Sequence, residues 1–275
     1  PFYIFYSMFG LQRFGDMAWA AGDLQARGFL IGATAGRTTL SGEGLQHQDG
    51  QGLLFASTIP NCVAYDPAFS YELAIIVHDG LRRMFVEKEK VYFYITVMNE
   101  NYQHFTMPNS TQQGILKGMY HLRKAKRPRK ESPRVRLLGS GTILRESLAA
   151  AELLEQDFGV LADVWSVTSF NELARDGRET ERWNMLHPAA KRKSSFVEKC
   201  LRGDTSPVIA ATDYVRNYAN QIREFVPGRY VTLGTDGYGR SDTRKKLRTH
   251  FEVGRHYIAL AALKTLADEG AIPTS

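Results

Sequence analysis

FLIGATAGRTTLSGEGLQHQDGQG, residues 29–52, joins a short apolar run to a long stretch rich in glycine. A second apolar run, CVAY at residues 62–65, follows it. Residues 36–52 hold five glycines together with Glu43, His47 and Asp49, a composition that does not suit a core element. Long loops of this kind in a compact domain are usually functional or disordered, and the short apolar flanks favour order. We therefore predict an ordered loop at the end of a strand that carries His47 into a cleft.

Apolar runs alternate with helical patterns on both sides of this loop. The predicted helices cover residues 11–25 and 69–85, and the predicted strands cover residues 2–6, 29–33, 62–65 and 91–98. The strands lack polar alternation, which is typical of strands buried on both faces, residues 2–6 included. Buried strands separated by helices indicate a parallel, covered sheet, so the first half is α/β.

The second half repeats this pattern. The predicted strands lie in residues 135–141, 162–170, 207–213 and 230–237, with helices at 143–154 and 214–225. Two further helices begin near Ser241, a plausible N-cap, and near Arg255, and Gly270 and Pro273 end the last one. We predict two consecutive α/β domains with mostly parallel sheets, at residues 1–122 and 137–275, joined by a basic linker at residues 123–136.

The net charge of +6 comes from one segment. Residues 123–136 contain eight Lys or Arg and one acidic residue, which leaves 27 basic and 28 acidic residues elsewhere. A nucleic-acid-binding domain more often spreads its basic residues over a folded face with interleaved aromatic residues. This segment also contains Pro128 and Pro133, so a solvated linker is the better interpretation, and we expect no nucleic-acid partner.

The remaining composition narrows the class of protein. No run approaches the roughly 20 apolar residues of a membrane span, so no membrane association is expected. Cys62 and Cys200 stand far apart without a CxxC partner, which favours a reducing, cytoplasmic setting and argues against zinc. The sequence opens at Pro1 inside an apparent strand, and we expect a missing segment upstream.

Three features follow predicted strands, where ligands of parallel sheets bind. His47 is a candidate for proton transfer or a surface histidine. Tyr6 and Phe9 could stack on a flat heterocycle or belong to the core. The Gly139-Ser140-Gly141 turn could hold a phosphate, but it lacks the full GxGxxG spacing, and a plain turn is favoured.

Other polar positions are better explained by packing, turns or solvent exposure. They are Asp79-Gly80, Asp236-Gly237, His78 and the cluster Arg182, Trp183, Asn184 and His187. No pair of carboxylates and no set of metal ligands stands out, so we assign no metal site.

Long motifs resemble a known family. The chain contains FYSMFGLQRFGD, GRTTLSGEGLQHQDG, TIPNCVAYDPAFSYELAIIVHDGLRRM, LLGSGTILR, DVWSVTSFNELARDG, ERWNMLHP and LGTDGYGRSDTRKKLRTHFEV. It is similar to the C-terminal third of the homodimeric, bacterial-type decarboxylase component of pyruvate dehydrogenase, and more distantly to transketolase. The similarity runs from Pro1 to about Ile272.

This resemblance implies a thiamine diphosphate enzyme that decarboxylates pyruvate and acetylates the lipoyl group of an acyltransferase. By position, Phe9 matches the aromatic residue that stacks on the aminopyrimidine ring, and Tyr6 matches a nearby tyrosine. His47 matches the active-site histidine that holds substrate and transfers protons. The first domain would be the later part of the pyrimidine-binding domain, and the second a transketolase C-terminal-like domain that contributes to a homodimer.

Two departures from the family leave alternatives open. Gln51 and Leu53 stand where the family typically has histidines. The glutamate that activates the cofactor, and the domain that binds diphosphate and Mg²⁺, would lie upstream of Pro1. A non-catalytic fragment or dimerisation module, and a related enzyme for another 2-oxo acid or a sugar phosphate, are therefore alternatives.

Overall fold

A computed structural model describes residues 1–6, 10–125 and 132–273. They form two α/β units whose sheets lie at the centre. Most of the basic linker predicted from the sequence, residues 126–131, lies outside the described residues.

The first sheet has four parallel strands in the order β1-β2-β4-β3. The strands are β1 Phe2–Tyr6, β2 Phe29–Ala33, β3 Cys62–Tyr65 and β4 Tyr92–Thr96. All residues of β3 and β4 are buried, as the absence of polar alternation predicts. The prediction of burial is wrong for β1. This strand lies at a sheet edge, and Phe2, Tyr3 and Ile4 are exposed.

The second sheet has five strands in the order β5-β7-β6-β8-β9. They are β5 Met119–Arg123, β6 Arg134–Gly139, β7 Leu161–Val167, β8 Val208–Ala211 and β9 Tyr230–Leu233. Among the described strands of this sheet, β5 pairs with β7 in antiparallel orientation, and the other three pairings are parallel. The predicted fold class, two α/β units with mostly parallel sheets, is confirmed.

Helices cover both sheets. In chain order they are α1 Gly15–Asp23, α2 Gly52–Ala56, α3 Ser70–Leu81, α4 Gln112–Lys117, α5 Ile143–Asp157, α6 Phe170–Leu186, α7 Phe196–Cys200, α8 Arg216–Asn220, α9 Arg244–His250 and α10 Arg255–Asp268. Short 3-10 turns add Leu11–Arg13, Leu45–His47 and Arg223–Phe225. No helix within the described ranges is long and apolar enough to cross a membrane.

Several helix boundaries differ from the sequence-based expectation. The helix predicted at residues 69–85 changes to a π-turn at Arg82–Val86, and the one at 214–225 separates into α8 and a 3-10 turn. The N-cap of α9 is Thr243, whose hydroxyl accepts a hydrogen bond from the Lys246 amide, so the assignment of Ser241 is wrong. Helix α6 was not predicted, although Phe170, Leu173, Ala174 and Gly177 form a buried stripe at helical spacing.

The basic segment contributes to the second sheet. Met119–Arg123 pairs with β7, although residues 119–122 were predicted to belong to the first domain. Arg134 and Arg136 lie within β6, inside the range predicted as linker, and the Arg136 guanidinium is buried against backbone carbonyls. Strand pairing depends on residues distant in the chain, so it cannot be predicted from the local charge and proline content of a segment. The division of the chain into domains otherwise stays a prediction.

The two units share a core. One apolar cluster joins Ala64 and Tyr94 of the first sheet to Leu138, Val167 and other residues of the second unit. Glu72 of α3 adds a buried polar connection. Its carboxylate accepts hydrogen bonds from the hydroxyls of Tyr120 and Ser166, both in the second sheet, each at 2.7 Å. Burial raises the pKa of Glu72.

Candidate active site

The strands β1 and β2, after which the predicted site residues come in the chain, end at the same edge of the first sheet. The two strands are parallel, and Tyr6 lies opposite Ala33, so both segments leave the sheet on the same side. Phe9 and the Tyr6 side chain lie outside the described part of the chain, and their predicted roles stay predictions. What the structure describes of this edge is the loop that follows β2.

Residues 34–51 form the predicted ordered loop between β2 and α2. Gly36 and Gly42 adopt positive φ angles of 88° and 76°, which glycine tolerates without steric cost. Residues 35–40 are buried, residues 41–47 are exposed or partly exposed and end with a 3-10 turn at Leu45–His47, and residues 48–50 are buried again. The loop is therefore anchored at its start, with His47 at its accessible part.

The His47 imidazole is held by its own loop. Its Nδ1 lies 3.1 Å from Glu43 Oε2, and its Nε2 lies 3.4 Å from the Gln46 amide nitrogen. The carboxylate can accept only from a protonated Nδ1, and the amide can donate only to an unprotonated Nε2, so both contacts fit one neutral tautomer. The His47 side chain is 24% exposed, which leaves the imidazole accessible to a ligand. Such an arrangement suits proton exchange.

Asp49, two residues after His47 in the chain, lies at the end of the loop. It is 1% exposed, and its Oδ1 accepts hydrogen bonds from the amides of Gln51, at 3.0 Å, and Gly52, at 2.8 Å. These bonds satisfy amides at the first turn of α2. Burial raises the pKa of Asp49 to about 6, against the lowering effect of those amides and of Arg37.

Arg37 ties the start of the loop to the second unit. Its guanidinium is buried and donates to the Thr235 carbonyl, after β9. Burial lowers the pKa of Arg37, while Asp49 and Asp213 act in the opposite direction. Gly50 packs so closely that a Cβ there would overlap the Arg37 guanidinium.

Asp213, after β8, is the strongest anchor of the loop. Its carboxylate accepts hydrogen bonds from both the backbone amides and the hydroxyls of Thr38 and Thr39. Neither Asp213 nor Arg37 was predicted from the sequence to be a site residue. One signal was present for Asp213, since it is the last residue of the predicted strand at residues 207–213, and ligands of parallel sheets bind at the carboxyl ends of strands.

The other positions considered from the sequence lie away from this loop or have structural roles. Gly141 approaches the Asp66 carboxylate, which leaves a turn rather than a phosphate cradle. His78 is exposed on α3, and Trp183 stacks on His187 at the surface, as packing predicts. Asp236 pairs with Arg216.

Gln51 and Leu53 differ in their environments. Gln51 is half-buried immediately before α2, whereas Leu53 is fully buried in the core that joins the two units. A buried apolar side chain at position 53 stabilises the packing of α2. The position therefore faces the core rather than a ligand in this chain.

The described ranges 1–6, 10–125 and 132–273 contain no group of three or more His, Cys, Asp or Glu side chains placed to hold a metal ion. Cys62 is buried and Cys200 is half-buried, both as free thiols.

Solved structures define the class of fold. Transketolase from Campylobacter jejuni is similar with a TM-score of 0.71 and 17% identity, over 96% of this chain and 35% of that chain. A structure described as a split gene transketolase, inactive beta4 tetramer, gives a TM-score of 0.69 and 17% identity, over 97% of this chain and 76% of that chain. The architecture is therefore that of the transketolase-like α/β proteins.

Sequence comparisons identify the family within this class. Residues 1–105 match the pyruvate dehydrogenase E1 component middle domain, and residues 118–254 match the transketolase-like C-terminal domain. The pyruvate dehydrogenase E1 components of Cupriavidus necator and Pseudomonas aeruginosa are 61% and 62% identical over 99% of this chain. That of Escherichia coli K12 is 55% identical over 99%. The chain belongs to the pyruvate dehydrogenase E1 family, and it spans about 30% of the length of these curated relatives.

Proposed function

We propose that this chain is the C-terminal portion of a thiamine diphosphate-dependent pyruvate dehydrogenase E1 component, and that it supplies one side of the active site. The observation that carries the proposal is the position of His47. The imidazole lies on the loop that leaves the carboxyl end of β2, beside which β1 also ends. The loop is anchored to the second unit, and the imidazole remains partly exposed. The identity to E1 components over nearly the whole chain supports the same function.

The described residues fit one end of the cofactor. Thiamine diphosphate has a flat aminopyrimidine ring at one end and a charged diphosphate with Mg²⁺ at the other. β1 and β2 end side by side, and the loop that follows β2 carries a partly exposed imidazole, which supports a site for the ring at this edge. We propose that Tyr6 and Phe9 hold the aminopyrimidine, and that a domain outside this chain binds the diphosphate and Mg²⁺.

His47 would hold substrate and move a proton. The bound cofactor supplies the electron sink for decarboxylation, which protein side chains lack. The Nδ1 of His47 lies 3.1 Å from Glu43 Oε2, whereas Nε2 makes a longer contact of 3.4 Å with the Gln46 side-chain nitrogen. We propose that Nε2 gives up this longer contact to donate to or accept from the substrate. Glu43 would fix the ring orientation.

The partners follow from the proposed function. The substrate would be pyruvate, the acetyl acceptor a lipoyl-bearing acyltransferase, and the assembly a homodimer in the cytoplasm. The split gene transketolase, described as an inactive beta4 tetramer, has a chain not much longer than this one, since the present chain covers 76% of it. By analogy, we expect the 275-residue chain alone to be inactive and to need the cofactor-binding portion.

The test combines the chain with the N-terminal portion of an E1 component from the same source. Calorimetry with thiamine diphosphate and Mg²⁺ should detect binding only in the mixture, and the mixture should release carbon dioxide from pyruvate. His47→Ala should reduce turnover by about 10²-fold or more, the usual contribution of a general acid or base. His78→Ala removes an exposed histidine from α3 and should leave turnover unchanged.

The alternatives predict different results. A non-catalytic fragment or dimerisation module would show neither cofactor binding nor turnover in the mixture. A related enzyme would bind the cofactor but prefer another 2-oxo acid or a sugar phosphate over pyruvate. Tight binding of the cofactor by the isolated chain would contradict the assignment of the diphosphate site to another domain.

A further inference from the structure

The carboxylate of Asp213 is almost completely enclosed by donors from the His47 loop. Oδ1 accepts from the Thr38 amide at 2.9 Å and the Thr38 hydroxyl at 2.6 Å. Oδ2 accepts from the Thr39 amide at 3.3 Å and the Thr39 hydroxyl at 2.7 Å. Asp213 is 2% exposed and belongs to the second unit, 174 residues beyond Thr39 in the chain. One side chain of the second unit thus fixes two consecutive residues of the loop.

The pattern of donors requires two acceptor oxygens. A backbone amide can only donate, and each carboxylate oxygen faces one. An asparagine at position 213 would direct its NH₂ group at one of the two amides in either orientation. A buried donor left without an acceptor is costly, so the isosteric amide cannot replace the carboxylate.

The second unit also holds the loop on both sides of His47. The Gly42 amide donates to the Asp242 carbonyl at 3.0 Å, and the Arg240 amide donates to Gln48 Oε1 at 2.7 Å. The Val215 amide, two residues after Asp213, donates to the Gly50 carbonyl at 2.9 Å. The segment between these contacts, which contains His47, therefore takes its position from the second unit.

We propose that Asp213 is a positioning residue for His47: its carboxylate fixes the start of the loop and thereby places the imidazole for the reaction. This inference rests on the proposed function for its catalytic consequence, while its structural part concerns the loop alone. It assigns the second unit, which contributes no side chain in contact with the substrate under our proposal, a specific role in organising the site.

The first experiment measures the local stability of the loop and does not depend on catalytic activity. Hydrogen exchange of the 275-residue chain should show amides of residues 38–50 exchanging about tenfold faster or more in Asp213→Asn, because a buried donor loses its acceptor. Amides of β5, which β7 and β6 separate from β8 in the second sheet, should be unchanged. Unchanged exchange in the loop would overturn the proposal.

A pair of glycine variants tests the same contact without altering Asp213. A Cβ at Gly36 would overlap the Asp213 carboxylate, whereas a Cβ at Gly42 meets nothing within 4 Å. Both residues have positive φ angles, so both alanine variants carry a similar backbone strain. Gly36→Ala should increase exchange at Thr38 and Thr39 more than Gly42→Ala does. Equal effects would show that the carboxylate contact is not what fixes the loop.

The second experiment measures turnover of pyruvate by the chain combined with the N-terminal portion. If Asp213 acts through His47, Asp213→Asn should lower kcat about 10-fold to 100-fold, as a misplaced catalytic group does. The double variant with His47→Ala should then lose no more than His47→Ala alone. If the double variant instead loses kcat by the product of the two separate factors, the positioning role is wrong. If His47→Ala leaves turnover unchanged while Asp213→Asn speeds hydrogen exchange in the loop, the proposed function is wrong and the anchoring by Asp213 is confirmed.

Discussion

The buried carboxylate of Asp49 predicts a measurable change of stability with pH. Its ordinary pKa is 3.8, and burial raises this pKa to about 6 in the folded chain. Between these values the folded chain keeps a proton that the unfolded chain releases, so raising the pH favours unfolding. A difference of about two pKa units corresponds to about 3 kcal/mol, lost as the pH rises from about 4 to about 7.

Asp49→Asn isolates this contribution. The asparagine Oδ1 can still accept from the Gln51 and Gly52 amides, and its NH₂ group can donate to the Tyr94 hydroxyl, which lies 3.5 Å from Oδ2. The variant therefore keeps the loop contacts while it removes the titration. Every other ionisable group is common to both proteins and cancels in the comparison.

Urea unfolding of both proteins from pH 4 to pH 7.5 provides the assay. The free energy of unfolding of the wild type, minus that of Asp49→Asn, should fall by about 3 kcal/mol across this range. Asp16→Asn, which removes an exposed carboxylate from α1, controls for the lost charge. A difference that stays constant with pH, or that increases, would refute the assignment of a buried carboxylate at this position.

Two further predictions concern stability. Glu72→Ala should lower the free energy of unfolding by about 3 kcal/mol or more, because it leaves several buried donors without an acceptor. The control Glu152→Ala, on the exposed face of α5, should have little effect. Urea unfolding measures both, and equal effects would contradict the buried network. Thr243→Ala should lower the free energy of unfolding by about 1 kcal/mol because it removes the N-cap of α9, whereas Ser241→Ala should leave it nearly unchanged. Thermal unfolding measures both variants, and a larger loss for Ser241→Ala would contradict the observed cap.

The residues of the candidate site could be predicted only in part from the sequence. His47 was selected because it follows a buried strand in a glycine-rich loop, and the structure places it there with Glu43 as its partner. Tyr6 and Phe9 stay predictions. Asp213 was missed because its partners lie 174 and 175 residues away in the chain, and no local pattern reports which carboxylate will face which loop.

The sequence by itself determined the α/β class and most strands, because apolar runs and helical periodicity are local properties that burial imposes. Its long family motifs also determined membership of the pyruvate dehydrogenase E1 family. Only the tertiary structure decided that β1 is an exposed edge and that Met119–Arg123 joins the second sheet. It alone decided that the second unit anchors the His47 loop, because hydrogen bonds between distant segments depend on how the two sheets pack together.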